Sequence, residues 1–463
     1  MAFDMKIDIL GTQPALFKLY TQLAFVFVSK GTPSEANVTG IITRGLGRLT
    51  EGFPWVAGQV VNTNAVSSGA PAYRIRPFEL QPRLVVRNYE SDLSVPSFQD
   101  MQCANFPMRM MGEDLWAPCP TVASLGFDPS KSSGNNNDPA PVLLLQLNII
   151  RGGLILCINM QHNTCDMMGQ AAVMGWLSKA CRSEEFSKQE LALGRVERRG
   201  IIPLIEEVGR DLRTELKHQI FPSQPVANTQ SEQMPRPTCS WIYFNFTSST
   251  LKRLKVAAES ELPDDFTGYI STDDSLCAFI FKSILRARQS RFDADLPVTF
   301  ARAVDARRYL GVDAQYPGIL QNMTYTSYPL SILLATPLGH IAAAMRQQVD
   351  PKTCDVARRT RALATFMSRP ADNAAKTSPT ATLNSEADIM LSSWGKVPAY
   401  EWDFGLGLGP AAAVRRPAFL PVESLMYTMP RNRDGTVAVA MCLRQEDIRG
   451  LESVTEWTHA VCT

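Results

Sequence analysis

The sequence predicts an α/β protein built as two similar-sized domains, each with a mixed sheet flanked by helices. Three observations carry this. Strand-like apolar runs alternate with helix-like amphipathic runs in both halves of the chain. A proline-rich stretch without apolar periodicity, FPSQPVANTQSEQMPRPT (221–238), lies near the middle of the 463 residues. A hydrophobic fraction of 45 % over that length is material for two or three domains. The expected organisation is a first domain over 1–220, a linker over 221–238 and a second domain over 239–463.

The elements follow in order. LLLQLNI and LILCINM read as two strands, and MMGQAAVMGWLSKACR (167–182) as an amphipathic helix. SWIYFNFT (240–247) reads as the strand that opens the second half. SSTLKRLKVAAES (248–260) follows as a helix, with Ser248 or Ser249 available to cap it. SLCAFIFKSILRARQS (275–290) repeats apolar residues every three to four positions and reads as another helix. VTFARAVDA (298–306) and TVAVAMCLR (436–444) read as strands. Of two further polar segments, SKSSGNNNDPAP (130–141) separates an irregular region from the strand pair over 142–160, and SRPADNAAKTSPTATLNSEAD (368–388) reads as a long surface excursion. No internal repeat is visible.

Composition excludes several classes. With Lys+Arg 46 against Asp+Glu 45, the chain has no global field for nucleic acid or an anionic membrane. An anionic ligand must then be held by a local pocket. The N-terminal MAFDMKIDIL has no signal-peptide core. The longest apolar stretch, PVLLLQLNIIRGGLILCINM, is broken by Gln146, Asn148, Arg151 and a Gly pair, too polar to span a bilayer. Ten scattered cysteines form no CxxC pair, which suits free thiols in a reducing compartment. The expectation is a soluble cytoplasmic protein without a metal site.

Only four histidines occur, and one stands out. In NMQHNTCDMMGQ (159–170), a buried strand runs into a loop carrying His162, and a helix begins behind Asp166. An imidazole titrates near ~6.5, so it can accept a proton at cellular pH. Asp166 can orient that imidazole or cap the helix. An isolated H-x-x-x-D also arises by chance. A second segment, SSWGKVPAYEWDFGLGLGP (392–410), alternates Gly405, Gly407 and Gly409 with apolar residues. Pro410 follows and no helix does, so a structural turn fits better than a dinucleotide cradle.

Taken together, His162-x-x-x-Asp166 and Asp403-Phe404-Gly405-x-Gly407 resemble the paired signature of the BAHD family of acyl-CoA-dependent acyltransferases. LGTQPALFKLYTQLAF, PWVAGQV, GGLILCINMQH, STDDSLCAFIFKS, ARAVDAR, YPGILQNMTY and PVESLMYTMP extend the likeness, to its fungal branch, over nearly the whole chain. Two positions depart from the family pattern: Met167 follows the HxxxD aspartate where Gly is common, and Leu406 replaces the tryptophan of DFGWG.

The resemblance implies an active-site channel between the two domains, with His162 as general base for an acceptor hydroxyl that attacks an acyl-CoA thioester. No acyl-enzyme is required, so Cys165 is expected to be a packing residue. Asp166 is implied to pair with Arg307, or failing that Arg308, and to shape the loop. Asp403, Gly405 and Gly407 are implied to support the fold away from the chemistry. Ser392, Ser393 and Trp394 match a channel-lining segment. The Trp394 indole N–H is a candidate oxyanion donor, or else Trp394 is a core aromatic. Ser271 and Thr272, opening a helix, are candidates for CoA phosphates, although Asp273 and Asp274 oppose this. The implied activity is acetyl transfer from acetyl-CoA, a co-substrate rather than a permanent cofactor, to a hydroxyl of a fungal secondary metabolite such as a sesquiterpenoid or polyketide alcohol. The expected partners are therefore an acyl-CoA and a small alcohol, with the protein a monomer. The alternatives are an N-acyltransferase, a longer-chain acyltransferase, or a non-catalytic small-molecule binder.

Overall fold

Two mixed sheets organise the chain. We describe them from a computed structural model, over residues 3–29, 34–64, 71–122, 139–206, 211–222, 238–369 and 373–461. The first sheet contains β1 (Tyr20–Val28), β2 (Arg83–Asn88), β3 (Leu143–Ile150), β4 (Gly153–Gln161) and a late strand, β9 (Ala413–Arg415). Its order is β9-β1-β4-β3-β2, with β2 and β3 parallel and the other pairs antiparallel. Every residue of β3 and β4 is buried. Their near-continuous apolar runs follow from burial on both faces. On one face Phe25, Leu156 and Ile158 meet the helices α1 (Glu35–Gly52) and α2 (Met167–Cys181). On the other, Val26, Ile155 and Cys157 meet Phe98 and Trp116. Gln146 and Asn148, the polar interruptions in β3, bond the carbonyls of Leu115 (2.9 Å) and Trp116 (3.1 Å) and so fasten the covering segment.

The second sheet comprises β5 (Cys239–Phe246), β6 (Pro297–Asp305), β7 (Gln321–Pro329), β8 (Ile389–Ser393), β10 (Leu425–Thr428) and β11 (Val437–Arg444). Its order is β7-β6-β8-β10-β11-β5. The helices α3 (Ser248–Ser260) and α4 (Thr272–Arg288) contribute Leu251, Phe281 and Ile284 to the core beneath it. The α/β class with mixed sheets is therefore as expected. One helix start differs from the sequence reading, and another agrees with the helix that the sequence opens at Ser271 and Thr272. Thr247, not Ser248 or Ser249, caps α3, its side chain accepting the Thr250 N–H. α4 begins at Thr272, because Ser271 and Asp274 form a reciprocal capping box.

After β8 the chain leaves its sheet and packs on the first one. Trp394, Tyr400, Phe404 and Leu406 join the core that holds Phe25 and Trp176, and β9 then pairs with β1 in the register Ala413 to Val26. A cut at 221–238 thus places β9 on the far side from its own sheet. Most of that linker (223–237) and most of the 130–141 segment (130–138) lie outside the described residues. The excursion after 368, described from 373 onward, returns to the body through a bridge between Ile220 and Thr377. Among the described residues, no helix is long and apolar enough to cross a membrane.

Candidate active site

His162 follows β4 directly, and its N–H donates to the Leu19 carbonyl at 2.7 Å. The ring is half-buried, with Nδ1 enclosed and closing no well-formed hydrogen bond. Burial pulls the imidazole pKa below its ordinary value of 6.5, against the pull of the Asp166 charge, and the Arg416 charge adds to the lowering. At neutral pH the ring is therefore in its base form.

The loop behind it is held by Asp166. This carboxylate caps α2 through the Gly169 N–H (2.8 Å) and accepts the Leu320 N–H (2.7 Å). Both of its oxygens also accept from Arg307, each at 2.9 Å, in a buried two-point pair. Arg307 spends its remaining donors on the carbonyls of Tyr316 (3.0 Å) and Gly318 (2.8 Å) and on Asp305 (2.8 Å). Burial works against the Arg307 charge, and Asp166 and Asp305 together more than offset it, so the guanidinium is held still more firmly protonated. Asp166 thus caps the helix and binds Arg307 rather than the imidazole, and Arg308 turns instead to the Val349 carbonyl. Gly169 permits the close approach of α2 to the 316–320 loop: a Cβ there would sit 2.3 Å from the Pro317 oxygen. Cys165 is fully buried, its thiol pushed up to about 11 by burial, which suits packing and not attack.

The second motif meets the other end of the same helix. The Asp403 carbonyl accepts from Ser178 (2.8 Å) and from Arg182, while its carboxylate takes the Gly405 N–H at 2.8 Å. Phe404 packs edge-on against Phe25. Gly405 and Gly407 turn the chain at φ +66° and +73°, the left-handed region that favours glycine. Fifteen helical residues separate the motifs by about 22 Å. The HxxxD loop and the DFG-x-G turn are therefore the two clamped ends of α2.

A cavity of about 520 Å³ opens where the first turn of α2 faces the second sheet. Asp166, Met167 and Met168 line it from one side, and Ser271, Thr272, Ser392 and Ser393 from the other. The structure thus gathers the four serine and threonine candidates in one place, but most are already engaged. The Ser271 hydroxyl is committed to Asp274 (2.7 Å), and Ser393 donates to Asp273 (2.9 Å). These acidic partners make the start of α4 a poor phosphate seat. Sequence reasoning offered Arg308 only as a fallback partner for Asp166 and missed the other cations on the same wall. Arg308, Lys396 and Arg431 are exposed, line the cavity and form no ion pair among the described residues. No motif marks Arg431, and nothing local in the segments that hold Arg308 and Lys396 says that their side chains meet on one wall. Trp394 also differs from expectation. It is buried, does not line the cavity, and gives its indole N–H to the Ser392 hydroxyl at 3.1 Å. Ser392 accepts that bond and lines the cavity, so the hydroxyl that can face a developing charge there is its own.

A neutral imidazole at the edge of a sheet, a rigidly braced loop and a cavity with cationic walls fit a transferase that activates an acceptor proton and holds an anionic donor. Residues 111–458 match the Transferase family, and residues 19–181 match the trichothecene 3-O-acetyltransferase-like N-terminal domain. The chain belongs to this family of BAHD-type acyltransferases. It is 42 % identical to the trichothecene 3-O-acetyltransferase of Fusarium sporotrichioides, over 99 % of this chain and 96 % of the relative. It is 41 % identical to an O-acetyltransferase of a Cryptosporiopsis species, over 98 % of this chain and 96 % of that one. The crystal structure of the F. graminearum enzyme complexed with coenzyme A and deoxynivalenol superposes with a TM-score of 0.91, at 40 % identity, covering 99 % of each chain. Vinorine synthase, at 14 % identity and a TM-score of 0.63, shares the fold.

Proposed function

We propose that the protein transfers the acetyl group of acetyl-CoA to a hydroxyl of a trichothecene-like sesquiterpenoid, with His162 as general base, and that it does so as a cytoplasmic monomer. The observation that carries this is the half-buried His162 ring, held in its base form on the loop whose Asp166 end lines the cavity, although His162 itself is not among the lining residues. In the reaction His162 takes the acceptor O–H proton as the oxygen attacks the thioester carbonyl. The tetrahedral intermediate collapses, the C–S bond breaks, and the imidazolium returns its proton to the CoA sulfur. Acetate ester and free CoA are the products. Ser392 donates to the oxyanion, fixed by the Trp394 N–H behind it. Arg308, Lys396 and Arg431 take the CoA phosphates at the exposed rim. The test is purified protein with acetyl-CoA and deoxynivalenol, followed by thiol release and product mass. One acetyl added per thiol released is expected; no acetylated product would refute the reading.

Two further outcomes follow. Because the His162 pKa is lowered, kcat/KM should rise with pH to a plateau, with the midpoint of the acid limb below 6.5. A midpoint above that value would mean that another group titrates. Trp394→Phe keeps a six-membered aromatic ring while losing the N–H to Ser392, so kcat should fall by about two- to tenfold, the range of one neutral hydrogen bond, with KM little moved. Unchanged kcat would make Trp394 a core residue alone.

A further inference from the structure

Arg416, just beyond β9, is 2 % exposed, yet it has no carboxylate partner among the described residues. Its one side-chain bond to another residue is a long one, Nη2 to the Thr121 hydroxyl at 3.4 Å. Nε and Nη1 are buried without any hydrogen-bond partner. Aromatic rings surround the guanidinium instead, with Phe419 at 4.2 Å, Tyr427 at 4.7 Å and Trp394 at 5.7 Å from ring centroid to charge. Trp241 packs on Phe419 and Tyr427, and its own indole N–H is likewise buried and unpartnered. Native interiors pair the great majority of buried polar groups, so three orphaned donors in one aromatic cluster need a reason.

The place supplies one. Thr121 accepts from Arg416 and gives its carbonyl to the Tyr20 N–H at 2.6 Å, while the neighbouring Leu19 holds the His162 N–H. On its other side the guanidinium faces Trp394, which fixes Ser392 on the cavity wall. Arg416 is therefore connected to the loop of the base through Thr121 and to the oxyanion donor Ser392 through Trp394, although it does not itself line the cavity. The orphaned groups are all donors, so their complement is an acceptor-only oxygen on a rigid apolar body. A cationic amine would be repelled there.

Resting on the O-acetyltransferase reading, we propose that Arg416 is a specificity residue for the acceptor. Its Nε–H and Nη1–H bind an ether, carbonyl or ester oxygen of the acceptor close to the hydroxyl that His162 deprotonates. The variants are testable because the backbone here is fixed independently. The Tyr243 hydroxyl donates to the Arg416 carbonyl (2.9 Å) and accepts its N–H (2.8 Å), whatever the side chain. Removing a buried charge that has no counter-ion is also expected to leave the melting temperature level or higher.

The experiment compares wild type with Arg416→Met and Arg416→Lys on two alcohols: deoxynivalenol, which carries further oxygens, and menthol, which has none. The expected result is a fall of about tenfold or more in the deoxynivalenol-to-menthol ratio of kcat/KM for Arg416→Met, the worth of a hydrogen bond from a charged donor. The loss should sit in the KM for deoxynivalenol, with Arg416→Lys recovering part of it. Equal losses on both alcohols together with a lower melting temperature would overturn the proposal, since that is a structural strut. If wild type turns over neither alcohol, the functional reading fails separately. Calorimetric binding of deoxynivalenol then decides the role of Arg416: binding weaker by about tenfold in Arg416→Met supports it, and equal affinity or no binding to wild type overturns it.

Discussion

His162→Ala should lose about 10²- to 10⁴-fold in kcat while the fold stays intact. The imidazole is the one group at the head of α2 that is both half-exposed and held neutral by burial, so no neighbour can take over its proton. Cys165, the nearest thiol in sequence, is fully buried and pushed up to about 11. Asp166 is spent on Arg307 and on two backbone N–H groups. The fold should survive because the ring makes no side-chain hydrogen bond, and the loop is tied by its main chain to Leu19. A stability change of about 1 kcal/mol or less is expected. Steady-state kinetics with acetyl-CoA and deoxynivalenol, beside a thermal melt, check both halves. A variant keeping more than about a tenth of wild-type turnover would remove His162 as the base.

Much of this site was readable in the sequence, and the reason is local. The strand into His162, the capping aspartate and the start of α2 are contiguous, so periodicity and cap chemistry expose them. The partnership of Asp166 with Arg307 spans 141 residues, and only the family resemblance pointed to it. What periodicity could not give was the return of the chain after β8. Nothing local in Ala413–Arg415 says that it pairs with Tyr20–Val28 in the first sheet, since three residues are too few for a pattern. Arg416 was hidden for the same reason. In sequence it follows another arginine and reads as solvated, and its burial comes from Phe419, Tyr427 and Trp394 meeting around it in three dimensions. That Ser271 and Asp274 form a capping box, which uses up the Ser271 hydroxyl, follows only from its geometry.

Asp166→Ala and Arg307→Ala should each destabilise the protein by about 3–5 kcal/mol, the cost of leaving one member of a buried ion pair behind. The reason is visible from either side. Without Asp166, the Gly169 and Leu320 N–H groups lose their acceptor and Arg307 loses two of its bonds. Without Arg307, a carboxylate that is 3 % exposed keeps its charge with only those two N–H donors. Each change removes a strut that joins the head of α2 to the 316–320 loop, so His162 should lose its position as the melting temperature falls. The double variant should lose clearly less than the sum of the singles, because the second change discards a charge that the first had already stranded. Denaturant unfolding of all four proteins gives the coupling energy, and additivity within about 0.5 kcal/mol would mean that the two residues do not act as a pair. Asp166→Asn separates charge from shape. It keeps an oxygen for the Gly169 N–H but presents an amide to Arg307, so it should recover the helix cap and not the ion pair. Its kcat should therefore stay near that of the alanine variant even where its stability is partly restored, which locates the contribution of Asp166 to turnover in the second oxygen, with its bonds to Arg307 and the Leu320 N–H.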